Sequence, residues 1–282
     1  MQKIAALCLT TVLVLSLPVA MDAQDWQDGV YSLMNATNDD LKAMWMDFRL
    51  ESVEFFTIGQ GRSAARVHQQ PFRWVAGDAR RSADGANLTW AIDESWGEAT
   101  ANGVPAGAVA AAIRRATATW QADSCLDRVD VVERRHLDGD LTVTDFFVGD
   151  GTLGDPFAAD VVHAGFLPGH QPLFRPGTLA FAATYIFVDR DSGEPTDLDG
   201  DGYLDVALTE VFYNDDYAWG IDAELPTVDV ETVVLHEVGH ALDLGHFGLP
   251  PEAVMNPVYD GPRHDLQPID HAGLCAVWRG WR

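Results

Sequence analysis

Hydrophobic and polar positions repeat with different periods along this chain, and each period predicts an element. After Lys3 comes an apolar run from Ile4 to Leu17, closed by Pro18 and small residues. The run is short for a transmembrane helix, and its layout is that of a secretory signal over residues 1–23. Residues 24–85 read as an N-terminal extension or propeptide. Within them Asp39 to Met46 opens a short helix, Ser52 to Ile58 alternates as a strand, and Gln69 to Arg81 is mixed. From Ala86 the rhythm becomes regular. Leu88 to Ile92 reads as a strand. Pro105 to Gln121 reads as a helix, with Val109, Ile113, Ala116 and Trp120 at helical spacing. Val129 to Glu133 and Leu141 to Phe147 are further strands, separated by the turn Asp138-Gly139-Asp140. Val161 to Phe166 and Thr184 to Val188 follow. Asp229 caps a helix that runs to Leu242, and a last helix spans Pro268 to Trp278. Strands come first and the long helix late, so the expected class is α+β over residues 86–282.

Composition narrows the class of partner. The net charge is −25, from 18 basic and 43 acidic residues. Lysine occurs only at Lys3 and Lys42. Such a surface disfavours nucleic acid and anionic membranes. It suits a secreted protein, and equally a protein kept soluble by its acid excess. No later stretch is a membrane anchor. The mature chain would keep Cys125 and Cys275, either paired in an oxidising compartment or as two separate buried thiols.

The candidate chemistry sits late in the chain, in His236-Glu237-Val238-Gly239-His240-Ala241-Leu242-Asp243-Leu244-Gly245-His246. His236 and His240 are one helical turn apart and face one ion. Glu237 is rotated about 100° from the first ligand, beside the ion and placed to take a proton from its water. His246 can return to the ion only if the helix stops after His240. Asp243 and Gly245 stand in that gap, and both residue types tolerate left-handed backbone. Three imidazoles leave a fourth position open, the layout of a catalytic Zn²⁺ site.

A second metal signal lies at Asp197, Asp199, Asp201, Tyr203 and Asp205, with Gly202 at the sharp turn. These positions match a Ca²⁺ loop of the EF-hand type, within an insertion around residues 190–210. Position 12 departs, being Leu208, with Glu210 nearby.

With these residues the chain resembles the metzincin zinc endopeptidases, and among them the matrixins (the matrix metalloproteinase type), from about Ala86 to the C-terminus. Ala253-Val254-Met255-Asn256-Pro257-Val258-Tyr259 is similar to the family's Met-turn. The resemblance implies that Met255 underlies the zinc ligands and that Pro257 and Tyr259 wall a substrate pocket. Val161 to Gly169 resembles the edge strand that pairs with an extended substrate, so Val161 and Val162 are expected to bind it. Ile269 to Leu274 resembles the last helix. The implied fold is a twisted mixed sheet of about five strands, a long active-site helix and a C-terminal helix. Asp243 stands where the family carries Gly. Val148 stands where a structural-zinc histidine is expected, leaving His163 and Asp150 for a second zinc, which is therefore not expected. The activation cysteine motif is missing. The function implied is zinc-dependent hydrolysis of peptide bonds in protein or peptide substrates, with Glu237 as general base. The alternative is a non-catalytic, metal-stabilised extracellular binding or calcium-dependent adhesion protein that keeps the peptidase fold.

Overall fold

The computed structural model describes residues 23–58, 70–81, 85, 87–93, 100–137, 140–144, 154–170, 173–174, 177–248 and 252–281. Residues 1–22 of the predicted signal, the turn at Asp138-Gly139, Val148 and Asp150 lie outside the described residues. Among the described residues no helix is long and apolar enough to cross a membrane.

Four α-helices and ten strands are described: α1 Ala23–Ala43, β1 Phe48–Ile58, β2 Phe72–Arg73, β3 Leu88–Ile92, α2 Ala106–Gln121, β4 Val131–Glu133, β5 Val161–Leu167, β6 Thr178–Phe187, β7 Leu204–Asn214, β8 Trp219–Gly220, β9 Val228–Asp229, α3 Val230–Ala241, β10 Val258–Tyr259 and α4 Pro268–Trp278. The α+β class is borne out. The main sheet runs β10-β1-β6-β7-β5-β3-β4, with β2 joined to β7. Its strands β3, β4, β5 and β7 are mutually parallel, and β6 is antiparallel to β7. These make the expected five-stranded core, and β10, β1 and β2 extend it to eight.

Both faces of this sheet are covered, which is why β6 is buried at every position and reads as one apolar run. One face packs on α2 and α3 through Val109, Ile113, Trp120, Val233, Val234 and Val238. The other packs on α1 through Val30 and Leu41, set against Phe48, Leu50 and Tyr185. Asn38 fastens α1 to β1. Its side-chain amide donates to the Leu50 carbonyl at 2.9 Å, and its oxygen accepts the Leu50 N–H at 2.7 Å.

Residues 70–81 are built into the same body. Phe72 and Trp74 join the core under the sheet. The Arg81 guanidinium, fully buried, pairs with the fully buried Asp160 at 3.2 Å, and Asp160 also accepts the Thr89 N–H at 2.7 Å. Cys125 and Cys275 form a disulfide, with Cα atoms 5.1 Å apart. It ties the 3₁₀ turn Ser124–Leu126 after α2 to α4.

Three expectations change. The predicted strand Leu141 to Phe147 is irregular over its described part. The Leu141 N–H goes to Asp93 Oδ2, and those of Val143 and Thr144 go to the Glu210 carboxylate, so side chains take the place of a neighbouring strand. The helix expected from Asp39 is the end of the much longer α1. Val161 and Val162 lie in β5, paired to β3 on one side and to β7 on the other. Their backbone groups are therefore engaged within the sheet, and they are not the edge that receives a substrate.

Candidate active site

Helix α3 is buried along its whole length. Asp229 caps it, its carboxylate accepting the Thr232 N–H at 2.9 Å, and Glu231 adds an acidic residue in the first turn. The C-terminal end turns sharply. Asp243 takes φ +64°, its N–H donates to the His240 carbonyl at 2.9 Å, and the Leu244 N–H returns to the Gly239 carbonyl at 3.0 Å. This left-handed stop is the one the motif requires, and it turns the chain so that His246 faces the helix. Carbonyls left over at the helix end meet indole N–H groups: Trp74 donates to Ala241 O at 2.8 Å and Trp278 to Leu242 O at 3.0 Å.

The Nε2 atoms of His236, His240 and His246 lie 3.1 to 3.2 Å from one another. Nitrogens about 2.05 Å from a tetrahedral zinc stand roughly 3.3 Å apart, so this donor set fits the ion. The opposite ring nitrogens fix the rings. His236 Nδ1 donates to the Val254 carbonyl at 2.7 Å and His240 Nδ1 to the Leu244 carbonyl at 2.8 Å. His246 Nδ1 is 3.4 Å from Glu54 Oε2. Burial holds all three imidazoles below their ordinary pKa, with the neighbouring histidines adding to the effect at His236 and His246. They are therefore neutral near pH 7, the form that binds a metal.

Glu237 is fully buried, and neither carboxyl oxygen has a hydrogen-bond partner among the described residues. Burial pushes its carboxyl well above the usual range, and the nearby Glu54 adds to this. A carboxyl in this state suits a group that must take a proton and return it. Met255 is fully buried beneath the helix, so close that a Cβ on Gly239 would overlap its sulfur. Its turn is pinned by Asp270 of α4, whose carboxylate accepts the Val254 N–H at 2.9 Å and the Met255 N–H at 3.1 Å. Tyr259 accepts the Asp229 N–H on its hydroxyl at 3.0 Å. Pro257 presents its carbonyl to the Thr57 N–H at 3.2 Å.

Three residues near this site carried no signal in the sequence. Glu54 and Phe56 arrive on β1, and the Phe56 ring stacks on His236 with centroids 3.9 Å apart. Tyr213 arrives on β7. Burial and the nearby Glu237 hold its hydroxyl well above its ordinary pKa, and it bonds His163 Nδ1 at 2.8 Å. His163 is itself buried and held neutral, its pKa lowered to about 3.

The acidic loop only partly follows expectation. Carboxylates of Asp197, Asp199 and Asp205 converge to within 4.8 Å, and Gly202 takes φ +87°. Asp201 turns away to Arg73 at 3.0 Å, and Arg73 also lies over the Tyr203 ring. Asp205 is shared with Arg80 at 2.6 Å. Leu208 is buried in the sheet, and Glu210 binds residues 143–144, so neither supplies a twelfth-position ligand.

Comparison with known proteins places this geometry. Human matrix metalloproteinase-19 is 38% identical over 73 residues, which is 25% of this chain and 14% of that protein. The chain thus matches only a small part of that relative's length. The matrixin family model matches residues 81–279, beginning at the buried Arg81 and running through α4. By that match, over most of its length, the chain belongs to the matrixin family of peptidases.

Proposed function

We propose that the protein is an exported zinc-dependent endopeptidase that hydrolyses peptide bonds of protein substrates with Glu237 as general base. The observation that carries this reading is the convergence of three neutral imidazole Nε2 atoms beside a buried carboxyl with both oxygens free of partners. His236, His240 and His246 would hold the zinc, which when bound supplies a Lewis acid for the scissile carbonyl and acidifies a water. Glu237 takes the proton of the attacking water and gives it to the leaving amine. Tyr213 keeps its proton and stays neutral beside it. Pro257 and Tyr259 line the wall of the cleft that receives the side chain following the cut bond. The intact base and ligand set favour this over a binding-only protein with the same fold.

The test is Glu237→Ala in the zinc-loaded protein. Zinc content stays near one equivalent by elemental analysis, while casein cleavage falls by about 10²–10⁴-fold. Cleavage at the wild-type rate would overturn the assignment, as would activity that survives a chelator.

Export is supported by the leader pattern of residues 1–23 and by the Cys125–Cys275 disulfide. A structural Ca²⁺ at Asp197, Asp199 and Asp205 is part of the same reading, supported by their convergence. Their mutual repulsion is visible at Asp199, where burial and the neighbouring Asp201, Asp197 and Asp205 raise the carboxyl pKa. A melting temperature that rises with added Ca²⁺ in wild type but not in Asp199→Ala supports the site. Equal melting with and without Ca²⁺ removes it.

A further inference from the structure

We propose that Cys125, Cys275 and His271 form a second metal site, for Zn²⁺ or another thiophilic divalent ion, which opens when the disulfide between the two cysteines is reduced. It shares no residue with His236, His240 and His246 and does not depend on how that centre is read.

Four groups meet where the end of α2 is tied to α4. Ligand atoms of Asp123, Cys125, His271 and Cys275 lie within 4.8 Å of one another. His271 and Cys275 are one turn apart on α4 and share a face. Asp123 caps the 3₁₀ turn Ser124–Leu126, one oxygen accepting the Cys125 N–H at 2.9 Å. Its other oxygen is 2.7 Å from His271 Nδ1. A carboxylate accepts, so Nδ1 carries the proton and Nε2 keeps its lone pair. Nε2 stands 3.5 Å from Cys275 Sγ. In a tetrahedral site with nitrogen about 2.05 Å and sulfur about 2.3 Å from zinc, the two are roughly 3.6 Å apart. The imidazole is thus at ligand spacing from one sulfur, and a carboxylate fixes its other nitrogen, as it does for metal-bound histidines. Neither the cap of the turn nor the covalent bond calls for this imidazole.

Thiolates, not joined sulfurs, are the metal ligands. A dithiol reductant frees them by exchange. Its thiolate attacks Sγ of Cys125, which is partly exposed while Cys275 is buried. The bond between the cysteines breaks, and its electron pair leaves on Cys275 Sγ, beside His271. The second thiolate of the reductant then displaces Cys125 and closes the reductant's own disulfide. Two electrons have passed to the two cysteines. With the ion bound both stay thiolates, and the two protons of the reductant go to solvent. A cavity of about 460 Å³, lined by Cys125, His271 and Cys275 together with Arg128 and Arg279, gives reductant and ion their path. The guanidinium groups favour the thiolate form. Asp270 directly precedes His271 and pins the Met255 turn. The ion therefore replaces the covalent tie of α4 at the place that also supports this turn.

The test titrates the full chain with Co²⁺, once oxidised and once reduced by a phosphine that is then removed without air. Imidazole ligands give no thiolate-to-cobalt charge-transfer band, so that band in the near ultraviolet reports this site alone. The reduced chain shows it and takes up one equivalent more than the oxidised chain, which shows none. Cys125→Ser with Cys275→Ser abolishes the band although Cys8 remains. His271→Ala, at a half-exposed position, weakens Co²⁺ here at least about tenfold, and Asp123→Asn, which keeps an acceptor for the Cys125 N–H, weakens it about 10–100-fold. The proposal is overturned if the folded, reduced wild type gives no band at saturating Co²⁺, or if His271→Ala binds as tightly as wild type. If reduction unfolds the chain, the comparison is made by refolding the reduced protein with Zn²⁺. Wild type then recovers its fold where His271→Ala does not, and equal recovery or equal failure overturns the proposal.

Discussion

Trp74 donates its backbone N–H to Asp243 Oδ2 at 3.1 Å, across 169 positions of sequence, while its indole N–H reaches Ala241 O at 2.8 Å. The residue that replaces the family's Gly in the zinc motif is therefore used twice: its backbone makes the left-handed stop and its side chain anchors residues 70–81. Burial holds the Asp243 carboxyl well above its ordinary range, against the Trp74 hydrogen bond and the charges of Arg73 and Arg81. Asp243→Asn keeps an oxygen that can accept the Trp74 N–H, so it should leave thermal stability nearly unchanged. Asp243→Gly relieves left-handed strain of about 1–2 kcal/mol but strands a buried N–H at a cost of about 1–3 kcal/mol, so the two nearly cancel. Asp243→Ala keeps the strain and loses the acceptor, and should destabilise by about 1–3 kcal/mol. Denaturant melts of the three variants check the order. An Ala variant as stable as the Asn variant would show that the anchor contributes nothing.

Asp270 reaches the candidate zinc site through two intermediaries. Its carboxylate holds the N–H groups of Val254 and Met255 and also accepts the Gln267 N–H at 2.8 Å, and Val254 O in turn fixes the His236 ring. Asp270→Ala leaves these buried donors unpaired and frees the turn. The expected loss is about 10–100-fold in zinc affinity, measured by competition with a chelating dye. Asp270→Asn, which keeps an acceptor, should recover part of it. Unchanged zinc affinity in the Ala variant would separate the turn from the ligand.

The convergence of the three histidines is legible in the sequence because it is local. Two histidines a turn apart, a capping Asp229 and a left-handed Asp243 all act within one short segment, and backbone chemistry alone relates them. What sat outside that reach was lost. Val161–Val162 is not distinguishable from an edge in the sequence, because an apolar run looks the same on an edge strand as in the middle of a sheet, and only pairing with β3 and β7 decides. Strand β7 is hidden in the sequence because its apolar run follows directly on the acidic loop. Glu54, Phe56 and Trp74 reach the site across more than a hundred residues, so no spacing rule relates them to His236. The acidic loop failed at Asp201 because Arg73, brought in by β2, competes for it.

Arg81 and Asp160 form an ion pair fully out of solvent, with further donation from Arg81 to the carbonyls of Val75 and Asn87 at 2.8 Å each. Removing one partner leaves the other as an uncompensated buried charge. Arg81→Ala should therefore destabilise by about 3–5 kcal/mol, seen as a lower denaturation midpoint. The pair replaced on both sides, Arg81→Met with Asp160→Leu, should lose less than Arg81→Ala, because no unpaired charge remains. A double variant that loses more would mean that the hydrogen bonds to Thr89, Val75 and Asn87, not the charge pairing, dominate.

His264 and Asp229 couple the start of α3 to pH. His264 Nε2 lies 2.8 Å from Asp229 Oδ2, and Nδ1 is 3.9 Å from Asp222. Burial alone would lower the His264 pKa, but the hydrogen bond to Asp229 and the carboxylates of Asp229, Glu231 and Asp222 raise it. At Asp229 burial would raise the pKa, and the Thr232 and His264 hydrogen bonds lower it instead. The raised His264 contributes stability that is fully present below its unfolded value of 6.5 and is lost as pH rises through the folded value. The depressed Asp229 contributes stability present above its unfolded value of 3.8 and lost as pH falls through its folded value. The pair is therefore worth most between these two unfolded values. His264→Gln should cost stability at pH 5.5 and less at pH 8.5. Because His264 is largely solvent-screened, the difference should be at most about 1 kcal/mol. Urea melts of wild type and variant at the two pH values give it directly. A cost that is equal at both, or larger at pH 8.5, would mean that the imidazole is neutral in the folded protein and that the contact with Asp229 is an uncharged hydrogen bond.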